Sequence, residues 1–259
     1  MKTMPVLFAA HGSPMNALEK NPFTEALTLA AQKIPKPRAV LCVSAHWETQ
    51  GTSVLSSSHP QTIHDFYGFP KPLGEFQYPA PGAPALAKEV QKLLPNATLS
   101  EKWGFDHGTW SVLTHMYPDA NVPVFQVSLD VNKSPAEHLA LGKLLRPLRE
   151  QGVLIVGSGN IVHNLGHIHW REPYSGFDWA KQFDLQIKNA LHDRDETSLT
   201  QYEQKFGEPA QLSVPSPEHY LPLLYCFGAS TQDDQLSFPF EGFAMGSLSM
   251  RDVLWTARP

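Results

Sequence analysis

The chain has 259 residues, a length compatible with one α/β domain and ample for a buried core. With 42% apolar and 17% charged residues it is neither disordered nor fibrous, and a net charge of -5 without any Lys/Arg run argues against nucleic acid as its partner. No stretch approaches membrane-spanning length, and the two cysteines, Cys42 and Cys226, are spaced neither as a metal knuckle nor as a disulfide framework, so no membrane association and a cytoplasmic location are expected.

In chain order, continuous apolar runs predict buried strands over residues 5–10, 39–45, 122–129 and 153–157. None alternates, as befits parallel strands covered on both faces. Helical patterns fall between and after them. The first spans 23–34, with Asn21 as N-cap and Pro22 at the first helical position. Others span 84–94, 134–151 (capped by Ser134, with Pro135 at N1), 179–193 and 219–229. A last segment, 242–254, reads as a strand. Alternation of strand and helix predicts an α/β fold, one domain over 1–259 with a mostly parallel central sheet flanked by helices. Residues 51–83, rich in proline and aromatics and without strong periodicity, read as a loop laid over the site.

The chemistry follows the strands. After the first comes His11-Gly12-Ser13-Pro14, after the second His46-Trp47, and after the fourth Ser158-Gly159-Asn160-Ile161-Val162-His163. Ligands of open α/β sheets bind beyond the carboxyl ends of strands, so three strand ends direct a histidine to one rim. Neutral imidazole is a common ligand for Zn, Fe and Cu, which makes a metal site at that rim the leading reading. Glu218-His219 opens an apolar helical segment and offers a further ligand from either residue. As a plain helix start, Glu218 would complement the macrodipole. His107, between glycines in Trp103-Gly104-Phe105-Asp106-His107-Gly108, reads either as an imidazole placed by a tight loop or as half of an Asp–His pair steadying a turn. Among the rest, His64-Asp65 faces the pocket or pins its loop, His59, His138 and His192 read as exposed, and His167 and His169 as structural. No phosphate loop, nucleotide fingerprint, Gly-x-Ser-x-Gly elbow or His-Glu-x-x-His pattern competes.

Taken together, the motifs carry a family resemblance. They are His11-Gly12-Ser13-Pro14-Met15-Asn16, Ser44-Ala45-His46-Trp47, Thr62-Ile63-His64-Asp65-Phe66-Tyr67-Gly68-Phe69-Pro70, Tyr78-Pro79-Ala80-Pro81-Gly82, Trp103 to Gly108, Gly157 to Leu165, Pro217-Glu218-His219-Tyr220-Leu221-Pro222-Leu223 and Met245 to Met250. In this order, from about residue 5 to residue 250, they resemble the DOPA-dioxygenase branch of the class III (LigB-type) extradiol ring-cleaving dioxygenases.

That resemblance implies a mononuclear, non-haem Fe(II) enzyme. It would insert both atoms of O2 into a catechol such as L-DOPA, giving a muconic semialdehyde by 4,5-cleavage. It implies His11, His46 and His219 as metal ligands, with Glu218 as the alternative third ligand, since the protocatechuate-type branch uses a glutamate there. It implies His163 as the acid–base histidine and His107 in the substrate and oxygen pocket. An all-histidine set also suits Zn(II), with His163 as a possible fourth ligand in a zinc form. Two other readings stay open at this level: a zinc hydrolase with Glu218 as general base, and a non-catalytic binding protein of the same fold.

Overall fold

A computed structural model describes residues 3–171 and 174–258. The uninterrupted apolar runs form strands buried along their whole length: β1 (Val6–Ala10), β2 (Ala39–Ser44), β3 (Val124–Gln126) and β4 (Val153–Gly159). Two later strands, β5 (Asp234–Ser237) and β6 (Val253–Ala257), complete a sheet of order β3-β2-β4-β1-β6-β5. The first four are parallel, while β6 runs antiparallel to β1 and β5 antiparallel to β6. Register pairs Ala10 with Gly159 and Ser44 with Ser158, so β1, β2 and β4 end level with one another. His11 and His46 therefore leave the sheet at one rim.

Alternation along each strand divides the core. Val6, Phe8, Leu41, Val43 and Ile155 face one side, against Leu86 and Val90 of α2 (Pro84–Leu93), Leu139 of α4 (Pro135–Leu145), Phe183 of α5 (Asp178–Asp193) and Leu224 of α6 (Leu221–Ala229). Leu7, Val40, Leu154 and Val156 face the other, against Leu27 of α1 (Pro22–Lys33) and Trp110 and Leu113 of α3 (His107–Met116). Asn21 and Ser134 form capping boxes at α1 and α4, as their sequence positions predict. Glycine lets α6 come close: a Cβ at Gly157 would lie 2.6 Å from the Pro222 carbonyl oxygen, and one at Gly159 would lie 2.1 Å from that of His219. Those two small residues bring His219 down onto the end of β4.

Several predicted elements change. The run over 122–129 breaks into β3 and a two-residue strand Leu129–Asp130 that pairs with Glu48–Thr49. The segment 242–254 is not one strand; Phe243–Ala244 and Leu248–Ser249 pair with each other, and β6 begins only at Val253. Residues 51–83 contain a strand, Ser53–Leu55, paired with Thr98–Ser100, and a short helix, Lys71–Gly74. His138 is not exposed: it is fully buried, with Nδ1 3.1 Å from the Tyr225 hydroxyl. Cys42 and Cys226 are free and buried, and no helix among the described residues is long and apolar enough to cross a membrane.

Candidate metal centre

His11 and His46 project from the ends of β1 and β2, and His219 precedes α6. One donor atom of each lies within 4.8 Å of the others. His107 is the first residue of α3, held there by Asp106, whose carboxylate accepts from the Thr109 amide at 3.1 Å and from the Ser44 hydroxyl at 2.6 Å. Gly108 leaves no room for a side chain, since a Cβ would lie 2.6 Å from the Ser44 hydroxyl and 3.0 Å from the His46 ring, and the His107 and His46 ring centres are 3.9 Å apart. The His163 ring stacks on His219 at 3.5 Å and 4°. All five site histidines named from the sequence are thus brought together.

Hydrogen bonding decides which nitrogen each ring presents. His11 Nδ1 is 3.0 Å from the Ser158 hydroxyl, and that hydroxyl donates its one proton to the Gly108 carbonyl at 2.5 Å. Ser158 must then accept from His11 Nδ1–H, which leaves Nε2 as a lone pair. His219 Nδ1 lies 3.0 Å from Glu218 Oε1, and His46 Nδ1 lies 3.3 Å from Asp65 Oδ2. Each carboxylate favours a proton on the nitrogen facing it, again freeing Nε2. The Nε2 atoms of His11 and His46 are only 3.1 Å apart. Two lone pairs at that separation repel unless a proton or a cation lies between them.

Charge favours the cation. Burial, then the neighbouring His46, holds the His11 pKa well below its ordinary value. Burial, then His163, does the same to His219. Burial and His107 push His46 down to about 3, against the opposing pull of Asp65. Three neutral imidazoles backed by acceptors are a donor set suited to a divalent transition metal, with little competition from protons at neutral pH. Burial works against the Asp65 carboxylate, but hydrogen bonds from His107 and the charge interaction with its ring hold its pKa down to about 2.

The alternatives left open by the sequence separate geometrically. Glu218 does not gather with His11 and His46; it groups with His163 and His219, and its Oε1 accepts from the Ser216 hydroxyl at 2.9 Å as well as facing His219. The helix α6 starts after it, at Leu221, so Glu218 does not sit in that first turn. The acid–base argument expects a His163 pKa near the working pH; burial instead lowers it to about 4, with Glu218 opposing. His59 and His192 are exposed as expected, and Trp47 is buried, stacked on Trp103 at 6.0 Å. Sequence reasoning passed over Ser158, inside a strand-end motif, and left Asp65 undecided. Their partners stand 147 and 42 residues away in the chain, and no local signal joins them.

A family profile described as the catalytic LigB subunit of aromatic ring-opening dioxygenase matches residues 5–245. The chain belongs to the LigB family. This LigB-family chain is 46% identical over 256 residues to the 4,5-DOPA dioxygenase extradiol of Escherichia coli (strain K12), an alignment covering 96% of this chain and 94% of that protein. It is 34% identical to the 4,5-DOPA dioxygenase extradiol of Portulaca grandiflora, over 96% of this chain and 95% of the relative. A crystal structure of uncharacterized protein JW3007 from Escherichia coli K12 superposes with a TM-score of 0.85 at 42% identity, covering 97% of this chain and 99% of that one. As a LigB protein the chain is a non-haem extradiol dioxygenase, with the α/β fold and mostly parallel sheet expected from its sequence.

Proposed function

We propose that this chain opens the ring of a catechol with a charged side chain, L-DOPA being the first candidate, by 4,5-cleavage to a muconic semialdehyde that retains both atoms of O2. In this reading one catalytic domain spans 1–259, His11, His46 and His219 hold a single Fe(II), His163 is the acid–base group, and His107 borders the substrate and oxygen pocket. The observation that carries it is the convergence of three buried or half-buried imidazoles whose Nδ1 atoms face Ser158, Asp65 and Glu218, in a chain of this family. The substrate rests on the names of the Escherichia coli and Portulaca grandiflora relatives.

When bound, Fe(II) supplies a chelation point for both catechol oxygens and the electron transfer to dioxygen that side chains, or Zn(II) in the same place, cannot supply. The all-imidazole donor set adds no negative charge, so the site would favour an anionic chelate, and the same three rings would also suit Zn(II). His163 takes a hydroxyl proton from the catechol at a ring nitrogen and returns it later, a role that Glu218 supports by opposing the burial that lowers the His163 pKa. Its stacking on His219 fixes it beside the ligand set. Phe66, from the segment 51–83, packs beside the site: its ring lies 5.7 Å from His107, 5.9 Å from Trp110 and 5.2 Å from Phe69. Such an aromatic side suits a flat ring.

The test is anaerobic reconstitution of metal-free protein with Fe(II) or Zn(II), then L-DOPA and air, recording visible absorbance and oxygen uptake. A yellow product with stoichiometric oxygen consumption in the iron sample alone is expected. No uptake across a panel of catechols, despite tight metal binding, would overturn the reading in favour of a zinc hydrolase.

A further inference from the structure

Asp65 belongs to a segment separate in sequence from the two histidines it touches, His46 and His107. Its backbone frame is fixed by several contacts. The Ile63 amide donates to the Phe105 carbonyl at 2.7 Å, the Phe105 amide to the Gln61 carbonyl at 2.8 Å, and the Trp110 indole to the Ile63 carbonyl at 3.0 Å. Gly104 permits this approach, because a Cβ there would lie 2.1 Å from the Gln61 carbonyl oxygen. Held so, one carboxylate meets two rings. Oδ1 accepts from the His107 amide at 3.0 Å and lies 2.9 Å from His107 Nδ1, while Oδ2 lies 3.3 Å from His46 Nδ1.

We propose that Asp65 is a positioning residue that sets the tautomer of His46 and His107 together, keeping the proton of each on Nδ1 so that His46 offers Nε2 to the metal. The inference rests on the proposed metal site for its His46 half. A carboxylate can do this because both its oxygens only accept. An amide cannot. With its oxygen kept on His107, its NH2 would face His46 Nδ1, which must then become an acceptor and send its proton to Nε2, toward His11. An isosteric Asp65→Asn change thus preserves shape and reverses the chemistry at one ring.

The experiment compares wild type, Asp65→Asn and Asp65→Ala by Zn(II) affinity in competition with a chromophoric chelator, by thermal unfolding of the metal-free proteins, and by the His107 tautomer in long-range 1H–15N spectra. We expect His107 to be Nδ1–H in wild type and to lose that preference in Asp65→Ala. We expect both variants to bind Zn(II) roughly 10- to 100-fold more weakly, with metal-free Asp65→Asn still unfolding in one cooperative transition, so that the loss of affinity is not a loss of fold. Rescue of affinity by Asn to within twofold of wild type would overturn the proposal, because a space-filling role would tolerate the amide. A wild-type protein that binds no Zn(II) would sink the metal-site reading and the His46 half with it. The His107 half is decided by the tautomer spectra alone, and an Nδ1–H unaffected by Asp65→Ala would overturn it. If Asp65→Ala fails to fold, Asp65→Asn carries the affinity test, and Nε2–H on His107 in wild type overturns the tautomer half.

Discussion

The Nε2 atoms of His11 and His46 face one another across 3.1 Å, and each ring has an acceptor at its other nitrogen. A cation between them relieves that opposition only in the folded state, so metal should stabilise the fold by mass action. At Zn(II) 100-fold above its dissociation constant, the unfolding free energy should rise by about 2.7 kcal/mol. His11→Ala should abolish that gain. Thermal unfolding with and without Zn(II) checks it, and an equal metal-induced shift in wild type and variant would refute the ligand assignment.

His163 stacks on a proposed ligand without gathering with His11 and His46, so its loss should separate chemistry from metal binding. His163→Gln should lower turnover by about 10²- to 10⁴-fold while iron content stays near that of wild type. Steady-state oxygen uptake and metal analysis of the same sample decide it. A parallel loss of both would make His163 a ligand instead.

Gly159 lets the His219 backbone pass over the end of β4. In Gly159→Ala the new Cβ would lie 2.1 Å from the His219 carbonyl oxygen, so the segment carrying His219 must move. The expected cost is about 1–3 kcal/mol of stability together with weaker metal binding. Urea unfolding of the metal-free protein and chelator competition measure the two effects. Wild-type values in both would show that the segment yields freely.

Far from this rim, Asp234 accepts two hydrogen bonds from the buried Arg149 guanidinium, at 2.7 and 2.8 Å. Burial alone would raise its pKa, but Arg149 and the Thr231 amide outweigh it and hold it below the ordinary carboxylate value. A depressed folded pKa contributes stability that is present above the unfolded value of about 3.9 and lost as pH falls through the lower folded one. Asp234→Asn should cost about 3–5 kcal/mol at pH 7, and its deficit should shrink on acidification below about pH 4. Denaturant midpoints of both proteins from neutral to acid pH test this; a constant deficit would show that the ion pair does not govern it.

What the sequence by itself determined is the part of the fold written in local patterns. Val6–Ala10, Ala39–Ser44 and residues 153–157 of β4 were legible as parallel strands because both faces are covered and every residue must be apolar or small, whereas the last two residues of β4 were not. Asn21 and Ser134 were legible as caps because capping is a contact between near neighbours. The strand-end placement of His11 and His46 followed from the same patterns. The edge strand Asp234–Ser237 was not legible, since three of its four residues are polar and it is defined by pairing with Val253–Ala257. His138 reads as a surface helix residue until Tyr225, 87 positions away, supplies a hydroxyl for its ring. Only the tertiary structure decided that Asp65, Ser158 and Glu218 stand behind His46, His11 and His219. A histidine's useful nitrogen is set by what its other nitrogen touches, and for His11 and His46 that partner is distant in the chain.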